Sequence, residues 1–149
     1  MEIKQIPENI GWYIAGFVDG EGSFTVSFCN RPDHKNMWKT TLTLNVAQRD
    51  KTVLALMKRH LGCGRLQARK DGVWYYVVSN PQAINERVIP FFTRFRFLSA
   101  KSKRNFSIFK QIARKMLDKE HLTKEGIHEI ALLCERLNEV ERQKTKIHH

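Results

Sequence analysis

Cysteine is scarce: three residues in a chain of 149 (Cys29, Cys63, Cys134), odd in number and far apart. No disulfide framework or paired metal-ligand spacing follows, and a reducing intracellular compartment is expected, with organelle and bacterial or phage cytoplasm equally open. Of the six histidines, His121 and His128 stand seven apart and His148-His149 are adjacent, neither being the spacing of a zinc site. No Pro/Gly/Ser linker, internal repeat or low-complexity tract divides the chain. One domain over 1–149 is therefore expected, with its core at about 8–117 and a last helix at about 123–142. Apolar runs span only a few residues, too short for a membrane helix. No apolar signal core follows Met1-Glu2-Ile3-Lys4-Gln5, so export is not expected. A hydrophobic fraction of 42% with 28% charged residues excludes wholesale disorder.

Acidic residues are also in short supply, 15 against 26 Lys+Arg, for a formal charge of +11. The excess is local. Residues 1–21 carry net −3, residues 22–115 carry net +15, and residues 116–149 carry net −1. A generally soluble basic protein would spread its charge, whereas one contiguous basic middle is the footprint of a surface that meets polyphosphate.

The pattern along the chain predicts α+β architecture. Pro7 and Glu8 open a helix that reaches about Gly20. Alternation then places Phe24, Val26 and Phe28 on one side and Thr25, Ser27 and Cys29 on the other. After a polar loop from Asn30 to Asn36, Leu42, Leu44 and Val46 alternate with Thr41, Thr43 and Asn45. Asp50 caps a helix that Gly62 stops. Asp71-Gly72 joins two more strands in a hairpin. Asn80-Pro81 starts a helix that Pro90 limits, and two longer helices follow. A four-stranded antiparallel sheet with helices on its apolar face results.

The other face of that sheet would carry Thr25, Ser27, Arg31, Lys39, Thr41, Thr43, Asn45, Arg65, Gln67, Arg69 and Tyr75. Such long or hydroxylated donors and acceptors suit base edges in the major groove, which admits a β-ribbon. The plainer alternative is an exposed sheet face with ordinary polar residues. Both faces of Val73–Ser79 are apolar, which leaves that strand's orientation open. Trp38, Trp74 and Tyr76 are expected in the core, with base stacking as the alternative.

On the first helix, Ile10, Ile14, Phe17 and Val18 form a stripe for the sheet. Trp12, Tyr13, Gly16 and Gly20 lie opposite, with no charge among them. Each helix glycine costs roughly 1 kcal/mol, so a pair four residues apart implies close approach of another helix. The same helix of a second copy is the expected partner, and an internal helix is the alternative. Glu21 would then meet its symmetry mate near the two-fold axis, where two carboxylates repel unless a divalent cation lies between them. Simple solvation is the alternative for a lone Glu at a helix end. Asp19 is expected to hydrogen-bond backbone at the turn.

The run Trp12-Tyr13-Ile14-Ala15-Gly16-Phe17-Val18-Asp19-Gly20-Glu21-Gly22-Ser23 resembles the signature of the LAGLIDADG homing endonucleases. The nine-residue motif falls on Ile14 to Gly22, with Glu21 where the family more often has Asp. A single copy is present, and single-motif members of the family are homodimers. The resemblance implies the fold αββαββα, with a four-stranded DNA-binding saddle and C-terminal helices. It makes Glu21 a catalytic metal ligand, aided by the backbone carbonyl of Gly20. Gln48 would organise water around the metals and Lys101 would act as activator. The accessory basic position holds Thr52, with Lys51 beside it.

The implied activity is Mg²⁺-dependent hydrolysis of double-stranded DNA at a long, near-palindromic site, leaving short 3′ overhangs. Mn²⁺ would substitute, and Ca²⁺ would support binding without cleavage. Lys103 and other cations of residues 94–115 would add phosphate contacts. An intron or intein origin is implied, with intron RNA as a further partner. The alternative on the same scaffold is a non-catalytic binder, either an RNA maturase or a DNA-binding regulator. A basic protein–protein module is a third reading, which predicts no salt-dependent DNA binding.

Overall fold

The structure, a computed structural model, describes residues 2–30, 38–119 and 123–147, of which 28–30, 38, 39 and 138–147 are described by backbone alone. After a short 3₁₀ turn, the order is α1 (Glu8–Glu21), β1 (Gly22–Asn30), β2 (Trp38–Gln48), α2 (Lys51–Leu61), β3 (Arg65–Ala68) and β4 (Trp74–Val78). Then come α3 (Pro81–Ala83), a π-helical turn (Ile84–Val88), α4 (Ile89–Arg94), α5 (Ala100–Leu117) and α6 (Lys124–Ile147). This is the expected α+β succession, and the sheet runs β1-β2-β4-β3, antiparallel throughout.

Local chemistry sets most boundaries. The Asp50 carboxylate accepts from the Thr52 amide and caps α2, and Gly62 ends it at φ +72°. Asp71 accepts from the Val73 amide and Gly72 takes φ +86° in the β3–β4 turn. Two expectations need correction. Helix α1 continues through Glu21 instead of ending near Gly20, and β1 follows with no loop between them. Nor does Pro90 stop its helix. The Ile89 amide bonds five residues back, to the Ile84 carbonyl, and this widened turn admits the proline ring.

Strand pairing settles which way β4 faces. Leu44 pairs with Val78 and Val46 with Tyr76, so Tyr76 and Val78 lie inward while Tyr75 and Val77 share the polar face. Tyr76 is fully buried and its hydroxyl donates to the Cys63 carbonyl at 2.7 Å. Trp74 packs half-buried against the core, and the side chain of Trp38 lies outside the described residues.

The core between sheet and helices centres on Phe24. The rings of Phe92, Phe97, Phe106 and Phe109 surround it, with centroids 4.9–6.0 Å away. Phe24→Ala is expected to lower unfolding free energy by about 3–5 kcal/mol, read by urea denaturation, because α4 and α5 cannot both collapse into the void.

Candidate functional site: the α1 terminus and the polar sheet face

Helix α1 buries Gly11, Ile14, Ala15 and Val18 against the domain. Its opposite face is open: Trp12 is 45% and Tyr13 53% exposed, and Gly16 and Gly20 are exposed too. Among the described residues a Cβ placed on Gly16 or Gly20 would meet nothing within 4 Å, so no described helix fills that space. The glycine that does pack internally is Gly11, where a Cβ would lie 2.2 Å from the Phe95 ring. Sequence reasoning missed it, because its partner is 84 residues away. Trp12 flanks the open face and meets Phe95 edge-on at 5.5 Å.

Since α1 stays helical to Glu21, Asp19 and Glu21 point about 200° apart. Asp19 turns inward to the start of α5. Its carboxylate accepts from the Leu98 and Ser99 amides at 3.2 and 3.1 Å and from the Ser99 hydroxyl. The Ser102 hydroxyl donates to the Asp19 backbone carbonyl at 3.3 Å. Asp19 does bond backbone, but that of a segment 80 residues on, not of its own turn. Partial burial works to raise the Asp19 pKa. The bonds from Ser102, Ser99 and Leu98 together outweigh it and hold the carboxyl below its ordinary range.

The folded pKa being depressed, this clamp contributes fully above the ordinary carboxylate pKa and is lost as pH falls through the folded one. Asp19→Asn is therefore expected to flatten the acid limb of a stability-against-pH curve, measured by urea denaturation from neutral to acid pH.

Glu21 is left exposed at the helix end, one residue before the ladder pair Gly22↔Val46. Two residues past Val46 stands Gln48, half-buried and paired with Trp74. The Asp19–Ser99–Ser102 clamp brings the first turn of α5, with exposed Lys101, to the same end of α1. Glu21, Gly20, Gln48 and Lys101 thus come from three elements that meet at one end of the sheet. Thr52 donates its amide to the α2 cap, while the Lys51 ammonium sits 4.9 Å above the Trp74 ring, on the residue that pairs with Gln48.

The polar sheet face assembles in register. Ser23, Asn45, Val77 and Arg65 form one row across the four strands, and Ala47, Tyr75 and Gln67 the next. Thr25 pairs with Thr43 and Ser27 with Thr41. Arg65, Gln67 and Arg69 are exposed, and the Arg69 guanidinium bonds the Tyr75 hydroxyl at 2.6 Å. Arg31 and the Lys39 side chain lie outside the described residues. Lys103 does not join this face: it stands exposed on α5, which packs on the sheet's inner side.

Carboxylate and helix-end carbonyl oxygens suit a hard divalent cation, but a single copy offers one carboxylate there, Asp19 being committed to α5. Among the described residues no three His, Cys, Asp or Glu gather as a metal site, and no helix is long and apolar enough to cross a membrane.

Comparison with known proteins gives this arrangement its context. The LAGLIDADG endonuclease family profile matches residues 14–113. "Probable intron-encoded endonuclease 2" of Neurospora crassa is 30% identical over 122 residues, 79% of this chain and 27% of that protein. The homing endonuclease I-ApeII of Aeropyrum pernix is 30% identical over 102 residues, 67% of this chain and 60% of its own. The LAGLIDADG homing endonuclease I-LtrWI bound to target DNA superposes with a TM-score of 0.83 at 28% identity, over 87% of this chain and 45% of that one. I-SmaMI, bound to an uncleaved DNA target in the presence of calcium ions, gives 0.81 at 30% identity, over 86% and 44%. The chain spans less than two thirds of each of these relatives. By the matched residues and by the fold they adopt, the chain belongs to the LAGLIDADG endonuclease family.

Proposed function

We propose that the chain is a site-specific DNA endonuclease that works as a homodimer and hydrolyses both strands of a duplex with divalent metal ions. The observation that carries this reading is the open glycine face of α1, which ends in exposed Glu21 beside the polar sheet face. The chain matches 45% of a DNA-bound relative's length, so a second copy would supply an equivalent unit. Helix pairing at Gly16 and Gly20 brings two Glu21 carboxylates together and completes the oxygen donor set, with the Gly20 carbonyls beside them.

Mg²⁺, with Mn²⁺ as substitute, would be held by the Glu21 carboxylates and the Gly20 carbonyls, and when bound would supply Lewis-acid polarisation of a phosphate and acidity to a bound water. Gln48 orients water at the site by hydrogen bonding. Lys101 offsets negative charge that builds on the phosphoryl oxygens. Thr25, Ser27, Thr41, Thr43, Asn45, Arg65, Gln67, Arg69 and Tyr75 lie along the major groove, one saddle per half-site, which makes a near-palindromic target the natural substrate. The cuts fall across the intervening minor groove and leave short 3′ overhangs. An origin within an intron agrees with the name of the Neurospora relative.

The test is incubation with a randomised duplex pool in Mg²⁺, Mn²⁺, Ca²⁺ or EDTA. Cleavage in the first two and binding alone in Ca²⁺ support the proposal. Enrichment by binding with no cutting in any metal would leave a reader without catalysis. Absence of salt-dependent binding to any duplex would remove nucleic acid as the partner.

A further inference from the structure

Of the two acidic residues in the last turn of α1, the one not offered to a metal is the more heavily bonded. The Asp19 carboxylate accepts from the Leu98 amide at 3.2 Å, from the Ser99 amide at 3.1 Å and from the Ser99 hydroxyl. Its backbone carbonyl accepts from the Ser102 hydroxyl at 3.3 Å. Capping α5 calls for less than this. One side-chain cap serves a helix N-terminus, and α5 has its own, since the Ser99 hydroxyl accepts from the Ser102 amide at 3.1 Å. That same hydroxyl donates outward to Asp19, so it ties the first turn of α5 to the last turn of α1.

Lys101 lies between the two serines and is therefore bracketed by bonds to a single residue of α1. Helix ends fray where their first amides lack partners, and a long lysine side chain would carry that motion to its ammonium. Glu21 is fixed to the same frame from the other side. Helix α1 passes into β1 with no loop between them, and the Gly22 amide donates to the Val18 carbonyl. A Cβ on Gly22 would lie 2.7 Å from the Val18 side chain, so the chain turns there in close contact with the helix. Asp19 and Glu21 thus ride on one turn, about 200° apart, the first bound to α5 and the second exposed.

We infer that Asp19, Ser99 and Ser102 are positioning residues for cleavage: they lock the start of α5 to the turn that bears Glu21, so that the Lys101 ammonium and the Glu21 carboxylate keep one separation. This role presupposes the endonuclease reading and extends it to residues that act only through Lys101. A group displaced by about 1 Å from its working geometry loses roughly 10²-fold in rate, which gives such a lock a measurable effect.

The test is a double-mutant cycle on the full-length protein, with Ser99→Ala and Lys101→Met made singly and together. Single-turnover cleavage in Mg²⁺ is followed on a duplex site recovered from the randomised pool, beside binding to the same duplex in Ca²⁺ and thermal melting. Ser99→Ala is expected to slow cleavage at least about tenfold while duplex affinity changes less than about twofold. Ser99→Thr, which keeps the hydroxyl, should restore most of the rate. Once Lys101 is Met, Ser99→Ala should cost less than about a further twofold, because the group it positions is gone. Losses that multiply in the double variant would overturn the inference, as would a lowered melting temperature with an unchanged cleavage rate. Should Ser99→Ala fail to fold, Ser102→Ala enters the same cycle, since it keeps the α5 cap and removes only the bond to the Asp19 carbonyl. A wild-type protein that binds duplex and cuts none would overturn the endonuclease reading and this role with it. A cutting wild type with multiplying losses overturns this role alone.

Discussion

Glu21→Gln is expected to abolish metal-dependent cleavage while the protein stays folded, dimeric and able to bind DNA. The side chain is exposed at the end of α1, so exchanging its charge disturbs no buried neighbour. The substitution keeps shape and removes the negative charge on which a hard cation depends. By symmetry it acts twice in a dimer. The loss in rate should exceed the roughly 10²–10³-fold that deleting a single hydrogen-bond donor to a transition state costs. Single-turnover cleavage in Mg²⁺, beside a shift assay in Ca²⁺, separates the two effects. Undiminished cutting by the variant would remove Glu21 from the chemistry.

Gly16→Leu should break the dimer without harming the fold. A Cβ at Gly16 meets nothing within 4 Å among the described residues of one copy, so a side chain there has room to leave the helix. Between two copies the same side chain wedges the helices apart. Overpacking costs about 1–3 kcal/mol per site. Counted twice across a two-fold axis, that raises the dimer dissociation constant roughly 30-fold to 10⁴-fold. Gly11→Ala is the contrasting variant: its Cβ would lie 2.2 Å from the Phe95 ring, so it should lower the melting temperature instead. Sedimentation and thermal melting together distinguish the outcomes. An intact Gly16→Leu dimer would remove the helix-pairing argument, and a misfolded one would place Gly16 inside the domain.

The contrast between these two glycines shows what was legible in the sequence. The open face of α1 declared itself locally, because two glycines four apart on an uncharged helix face call for the close approach of another helix. The strands β1 and β2 were equally plain, since apolar and hydroxylated residues alternate along them. Strand β4 was not, because Tyr75 and Val77 put apolar side chains on the polar face. Only the pairing of Leu44 with Val78 orients it.

Features joined over long sequence distances left fainter marks. Asp19 read as a turn residue, yet its partners are Leu98, Ser99 and Ser102. The sole local hint was Ser99 placed to cap α5, where it accepts from the Ser102 amide. Pro90 misled for the opposite reason. The rule that proline stops a helix is sound for α geometry, and the widened turn at Ile84–Val88 suspends it. Charge counting pointed to a surface for polyphosphate but did not resolve its sides: it pooled the α5 cations with those of the polar sheet face, although the core lies between them.

The account rests centrally on two copies, each supplying one Glu21 and one sheet face to a single duplex. The most direct measurement is sequencing both ends of every fragment that the wild-type protein cuts from a randomised duplex library in Mg²⁺. The prediction is a set of near-palindromic sites, with the two strands cut a few nucleotides apart and 3′ ends overhanging. Cuts at sites without two-fold symmetry, or nicks confined to one strand, would contradict it.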